Sequence, residues 1–414
     1  MSTSSRCAAV RALALLAVAG IAQAAAAANF SYIGQTIVPT GASYASTTVG
    51  GLSGIDYDAA TASYVAISDD RSAVNPARYY TLSLDFNKFS RSNTPGSGGV
   101  SFSAVTTLRT AAGLAFGVNS EDAEAIRLVH GATGPTLLWT NEGQRSSAGF
   151  QSPTLREMKL DGSYLRDFSV PQTFVPVGTA ASTGANDTGI RNNLAFESLT
   201  LSRDGKQVYI ATESALAQDG PIATVQAGTV TRVAQFDYAS GQRTAEYAYQ
   251  LDAIPVAPTP STSSADNGLV ELLAVGDGRF LALERSFASG VGNNIRLYLT
   301  EIGDATNIAG ISSLKGQSVT AMRKTLLLDL GSLTNDDGTA LKLDNVEGIS
   351  FGADVDGHQT LVLVSDNNFS STQFTQFVAL RIDTDLALMP VPEPQTAMLM
   401  ALGLLVVVGA RRRR

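Results

Sequence analysis

Ten positions of this chain recur in a way that could assemble a metal-binding or acid–base centre. Five segments repeat one pattern: a strand-like run opening with Ser or Glu, a turn, and a second run closing in Asp or Glu. The opening residues are Ser53, Glu124, Glu197, Glu271 and Glu347, and the closing residues are Asp69, Glu142, Glu213, Glu284 and Asp366. If the two runs of each copy pair antiparallel, the start of one lies beside the end of the other, and all ten positions meet at one mouth. Nine of the ten are acidic, and Asp70 partly replaces the carboxylate missing at Ser53. Crowded carboxylates raise one another's pKa unless they are protonated, paired or bound to a cation. Arg71, Arg145 and Arg285 follow closing carboxylates closely enough to pair with them. With amides such as Asn141, Asn345 and Asn367 nearby, the same hard oxygens equally suit calcium, or magnesium with retained water. A purely structural ion-pair network at the repeat junctions is the competing use of these residues.

The elements that must position this mouth are legible from the repeat itself. Successive opening residues are 71, 73, 74 and 76 apart, the length of a four-stranded propeller blade. After each strand pair, third strands are predicted near residues 78–85, 154–161, 231–237, 295–301 and 376–383, most of them alternating apolar and polar. Fourth strands follow near 101–109, 164–170, 244–252 and 324–330, and the fifth repeat lacks one. The run Phe-Ser-Tyr-Ile-Gly-Gln-Thr-Ile-Val at 30–38 has no local partner and is expected to complete that last blade, covering its open edge. The fold class is therefore all-β: a β-propeller of five four-stranded blades closed by the N-terminal strand, with six blades as the alternative if a long connection hides one. Turns such as Arg203-Asp204-Gly205, Gly276-Asp277-Gly278 and Asp354-Val-Asp-Gly357 resemble calcium loops but lack EF-hand spacing, and read as hairpin turns. The polar stretches at 173–193 and 253–267 are expected as long loops on one face.

The ends and composition bound the function class. Residues 1–28 carry Arg6 and Arg11, an apolar Ala/Leu/Val run and A-x-A cleavage patterns, which marks a secretory signal peptide. The only cysteine, Cys7, lies in that segment, so the mature chain has no disulfide and no thiol chemistry. Six of the 29 basic residues also sit in the two ends, which takes the net charge from −8 to about −14 on processing. Such an acidic protein is a poor partner for nucleic acid or anionic membranes and a good one for divalent cations. His130 and His358 both fall at hairpin turns, Gly51-Leu-Ser-Gly-Ile55 lacks the second glycine of a nucleophile elbow, and no P-loop or dinucleotide fingerprint occurs.

Two resemblances extend this reading. Val391-Pro-Glu-Pro394, the apolar segment 396–410 and the four terminal arginines closely resemble the PEP-CTERM sorting signal. It implies export in a Gram-negative bacterium, a short transient inner-membrane anchor, and delivery to the cell surface or matrix by an exosortase-type enzyme. Gly51-Leu-Ser-Gly-Ile55 with Ser68-Asp-Asp70, Phe196-Glu-Ser-Leu199 with Ala211-Thr-Glu213, Leu283-Glu-Arg285, and Asn345-Val-Glu-Gly-Ile349 with Ser365-Asp-Asn367 resemble the phytase-like domain family of esterase-like activity. That family implies hydrolysis of phosphoesters at these acidic positions. The domain reading is a signal peptide (1–28), a phytase-like propeller (29–385) and a sorting signal (386–414). The expected function is a divalent-metal-dependent phosphoester hydrolase acting on a small phosphoester or other ester, with calcium the expected ion. Glu197, Glu213, Glu347, Arg71 and Arg285 are assigned to catalysis, and Asp69, Asp70, Glu124, Glu142, Glu284, Asp366 and Asn367 to the metal. The acidic run of calcium-dependent propeller phytases is absent, which argues against phytate itself. The alternatives are a calcium-dependent lactonase or carboxylesterase, and a non-catalytic matrix or binding module, with an exopolysaccharide matrix as partner and a structural ion.

Overall fold

The inner runs of each repeat are apolar on both faces, a pattern that suits strands sandwiched between neighbouring sheets. The computed structural model describes residues 30–131 and 134–386 and places these runs around one axis. The signal peptide and the sorting signal beyond Leu386 lie outside the described residues. Blade I comprises Leu52–Asp58, Ser63–Ser68, Arg78–Leu84 and Val100–Thr107. Blade II comprises Ala123–Gly131, Gly134–Asn141, Thr154–Lys159 and Tyr164–Asp167, and blade III Phe196–Leu201, Gln207–Thr212, Thr229–Asp237 and Arg243–Leu251. Blade IV comprises Ala265–Gly276, Arg279–Ala288, Gly292–Glu301 and Arg323–Asp329.

Blade V is assembled from both ends of the chain. Asn345–Val355, His358–Asp366 and Thr375–Ile382 supply three strands, and Phe30–Val38 adds the fourth by pairing antiparallel with Thr375–Ile382, from Phe30 opposite Ile382 to Val38 opposite Thr375. The expected closure by the N-terminal strand is thus the observed one.

Five hydrophobic clusters seal the five blade junctions. Ile67 and Tyr79 meet Ile126 and Trp139 between blades I and II, and Leu138 and Leu155 meet Phe196 and Val208 between II and III. Tyr209 and Val233 meet Leu272 and Phe280 between III and IV, while Leu273 and Leu297 meet Ile349 and Leu363 between IV and V. Ile55 and Tyr64 meet Val364 and Phe377 between V and I, so the ring closes at five blades. Each fully buried Leu, Ile, Val or Phe contributes about 1.5–3 kcal/mol relative to exposure. These junctions therefore hold the blades' inner ends in fixed relation.

The turns Arg203-Asp204-Gly205, Gly276-Asp277-Gly278 and Asp354 to Gly357 join first to second strands, as expected of hairpins. His130 and His358 lie at strand ends beside such turns, both exposed. The second long loop is shorter than its polar composition suggests, because the first strand of blade IV already begins at Ala265.

Candidate functional site

A β-bulge sits at the start of the first strand in every blade. It falls between Leu52 and Gly54, Ala123 and Ile126, Phe196 and Ser198, Leu269 and Glu271, and Val346 and Gly348. A bulge adds one residue to one strand and re-aims its side chain. The bulged residues are Ser53, Glu124, Glu197, Val270 and Glu347, so the register in blade IV is one residue away from that expected. Its closing position moves too: Glu284 pairs with Leu269, where the other blades place Ser68, Asn141, Thr212 and Ser365 before their bulges. The equivalent of Asp69, Glu142, Glu213 and Asp366 is therefore Arg285. The expected nine acidic positions become seven carboxylates, with valine and arginine contributed by blade IV.

These seven gather around one mouth. A cavity of about 680 Å³ there is lined by Asp69, Glu124, Glu197, Glu213, Glu347 and Asp366, together with Arg71 and Arg285. Two clusters of carboxylate oxygens, Asp122 with Glu124 and Glu142, and Glu142 with Glu197 and Glu213, each lie within 4.8 Å of one another and share Glu142. Asp122 escaped the sequence reading because its counterparts are Gly51, Ala195, Gly268 and Asn345, so no repetition marks the position.

Glycine makes room for two of these side chains. A Cβ on Gly51 would stand 2.0 Å from Asp69 Oδ1, and Gly51 also has φ +62°. A Cβ on Gly268 would stand 2.2 Å from Glu213 Oε1.

The two arginines compensate only part of the charge. Arg71 pairs with Asp122, lies 3.8 Å from Glu142 and donates to Asn193 Oδ1 at 2.9 Å. Arg285 pairs with Glu213 at 2.9 Å and Asp266 at 3.1 Å, and its Nη2 lies 3.5 Å from Glu347. Asn345 Nδ2 donates to Glu347 at 2.9 Å and to Asp366 at 3.3 Å, and Glu142 Oε1 accepts from the Ala195 amide at 2.8 Å. Among the described residues, the carboxylates of Glu124, Glu197 and Asp69 accept no hydrogen bond; Glu124 and Glu197 are only 7 % exposed.

Burial, then mutual repulsion, pushes the group upward. Glu124, Glu197, Glu142 and Asp69 lie well above the usual carboxylate range, repelled most strongly by the neighbouring carboxylates of Glu197, Glu142, Asp122 and Asp366 respectively. Glu347 is pushed up to about 8, Glu213 to about 7 and Asp366 to about 6. Arg285 is raised further by its acidic neighbours despite burial, which fixes it as a cation. Carboxylates that face the cavity without accepting a hydrogen bond from the described residues, with too few cations beside them, fit a divalent ion, whose charge would lower these pKa values again.

Other expected site residues lie elsewhere. Asp70 is spent on Arg78 at 2.6 Å and on the amides of Ala73, Val74 and Asn75. Glu284 accepts from Tyr249 Oη at 2.8 Å and Asn267 Nδ2 at 3.1 Å, and pairs with Lys324. Asn367 Oδ1 caps the Gly51 and Phe369 amides. Arg145, fully buried, donates to the carbonyls of Val177, Thr179, Thr188 and Ile190, so it anchors the 173–193 loop from beneath. Glu271 lies deeper on the axis, paired with Arg127 at 2.8 Å.

The profile of the Phytase-like family, described as "Esterase-like activity of phytase", matches residues 47–369, and that of the PEP-CTERM protein-sorting motif matches 390–414. An uncharacterized secreted protein of Arthroderma benhamiae is 34% identical over 110 residues, and the match spans 25% of this chain and 21% of that relative's length. Among solved structures, U3-55K is 9% identical with a TM-score of 0.34, covering 86% of this chain and 99% of that one. The Bombyx mori GH32 β-fructofuranosidase BmSUC1 is 10% identical with a TM-score of 0.37, covering 79% and 58%. Similarity at these scores carries no argument about function.

Proposed function

Since the chain belongs to the Phytase-like family and carries a PEP-CTERM sorting signal, we propose that this secreted propeller is a divalent-cation-dependent ester hydrolase with phosphoesters as its substrate class. The observation that carries the reading is the pair of carboxylate clusters sharing Glu142, with Glu124 and Glu197 buried beside the cavity and accepting no hydrogen bond among the described residues. Asp122, Glu124, Glu142, Glu197 and Glu213 would hold the cation, which reassigns Glu197 and Glu213 from catalysis to binding. Asp69 and Asp366 border this set. Bound there, a divalent cation would supply charge neutralisation, polarisation of the ester oxygen and a lowered water pKa. Calcium is the ion best suited to so many oxygen ligands.

The chain's own residues divide the remaining work. Glu347, oriented by Asn345 Nδ2, stands at about 8 without the cation; the cation's charge would lower it toward neutrality, where it could exchange a proton with water or the leaving group. Arg285, fixed as a cation by Glu213 and Asp266, stands where developing negative charge on a phosphoryl group would be stabilised. Arg71 provides a second guanidinium across the cavity, partly exposed and able to exchange Asp122 for substrate. Without a cation the acidic mouth would repel a phosphoester.

The test is hydrolysis of p-nitrophenyl phosphate, bis(p-nitrophenyl) phosphate and p-nitrophenyl acetate by residues 29–390 with calcium, magnesium or EDTA. Phosphoester turnover that EDTA abolishes and Glu347→Gln suppresses is the expected result. Turnover of the acetate alone would move the substrate class to carboxylic esters. A cation-dependent rise in melting temperature without turnover of any ester would leave a binding module with a structural ion.

A further inference from the structure

The fold fixes which face of the ring the sorting tail leaves from, and it is the face opposite the acidic mouth. Asn368, Thr372, Gln373 and Phe374 line the mouth cavity. From there the strand Thr375–Ile382 runs the full depth of the blade to the hairpin-turn face. At that end Ile382, Asp383 and Leu386 border a separate depression of about 360 Å³ together with Arg203, Gly357 and His358. The chain is pinned there: Asp383 accepts from Ser31 Oγ at 2.6 Å and pairs with Arg381 at 2.7 Å, and Leu386 is packed into the core beside Ile382. Phe30 pairs with Ile382, so the segment joined to the signal peptide starts from the same face.

We propose that, while the tail is uncleaved, the hairpin-turn face is apposed to a lipid surface and the acidic mouth points away from it, toward the medium. The apolar segment begins at residue 396, ten residues after Leu386, a tether that reaches at most about 35 Å when fully extended. For the mouth to face the lipid, the tether would have to climb the outside of the blade. That path is at least the length of Thr375–Ile382, eight residues or about 26 Å, plus the distance around the ring's edge. An inverted orientation would stretch the tether nearly taut along the outside of the blade, which chain entropy opposes, whereas with the turn face toward the lipid it stays slack. The consequence is that a soluble ligand meets the mouth before the tail is removed as well as after. This inference rests on strand direction and the position of Leu386, and is independent of the hydrolase reading.

The test uses residues 29–414, which keep the sorting tail, in phosphatidylcholine vesicles containing a nitroxide-headgroup lipid. A fluorophore is attached through Gln359→Cys on the turn face or Thr372→Cys at the mouth, both positions being exposed. The labelled chain begins after the signal peptide, which holds the only native cysteine. The Gln359→Cys label is expected to be quenched at least about threefold more than the Thr372→Cys label, given a strand length of separation. A chain ending at residue 390 should show no quenching at either position. Equal quenching, stronger quenching at Thr372→Cys, or none at either position in residues 29–414 would overturn the proposal.

Discussion

Two sets of carboxylates share the propeller axis, buried alike but satisfied very differently. Glu271, 1 % exposed, pairs with Arg127 at 2.8 Å and accepts from the Leu199 and Leu272 amides at 2.8 and 2.9 Å. Arg127 also donates to the carbonyls of Ile55, Leu272 and Ile349, tying together the inner strands of blades I, IV and V. At the mouth, Glu124 and Glu197 are 7 % exposed and accept no hydrogen bond among the described residues. Burying a charge without a partner is unfavourable, so a fold that tolerates it holds something in reserve. The lower pair fastens the ring; the upper set lacks such partners, and it is this set that we propose holds a cation.

Loss of the Arg127 guanidinium separates the two sets most sharply. Arg127→Met leaves Glu271 unpaired in the interior and is expected to cost about 3–5 kcal/mol, measured by urea denaturation. The double change with Glu271→Met should recover most of that loss. Glu197→Gln removes a charge that has no partner, so in EDTA at pH 8 it should leave stability unchanged or raise it. A loss at Glu197→Gln as large as at Arg127→Met would show that the mouth is merely another structural network.

A smaller effect sharpens the same contrast. Gly268→Ala would place a methyl group against Glu213 Oε1, which must shift from both Arg285 and Glu142. The expected cost is about 1–3 kcal/mol, with weakened calcium binding in a titration that follows melting temperature.

The pH dependence separates the two sets as well. Glu347, Glu213 and Asp366 have folded pKa values of about 8, 7 and 6, above their ordinary values of 4.5, 4.5 and 3.8. Between those limits the folded chain binds more protons than the unfolded chain, so stability is full at low pH and declines as pH rises through the folded values. The cation-free protein should therefore melt at a higher temperature at pH 5 than at pH 8, and calcium should flatten that slope. Glu271, raised to about 7, adds to the same trend but is insensitive to calcium. Its residual slope should persist when the ion is present.

The strand periodicity exposed most of the fold, because inner strands covered on both faces leave unbroken apolar runs and the outer ones alternate. The N-terminal strand was legible through its lack of a local partner. The register of blade IV was not, since Glu271 and Glu284 imitate the repeat at nearly the right spacing and a β-bulge leaves no mark in composition. One signal was available: Gly268-Leu269-Val270 aligns with Gly51-Leu52-Ser53, and both glycines clear space for a carboxylate. Following it would have placed Arg285 in the ring. Arg145 could not be placed from its spacing, because its partners, four backbone carbonyls and the Asp187 carboxylate, belong to a loop some 30 to 45 residues away.

The central claim is that the mouth binds a divalent cation through carboxylates shared by two clusters, and isothermal titration of calcium into the apo protein at pH 8 tests it most directly. The wild-type chain should bind, and Glu142→Gln, which removes the shared ligand, should lower affinity by about 100-fold or more while melting at an unchanged or higher temperature in EDTA. No heat of binding in the wild type, or the same affinity in Glu142→Gln, would contradict it.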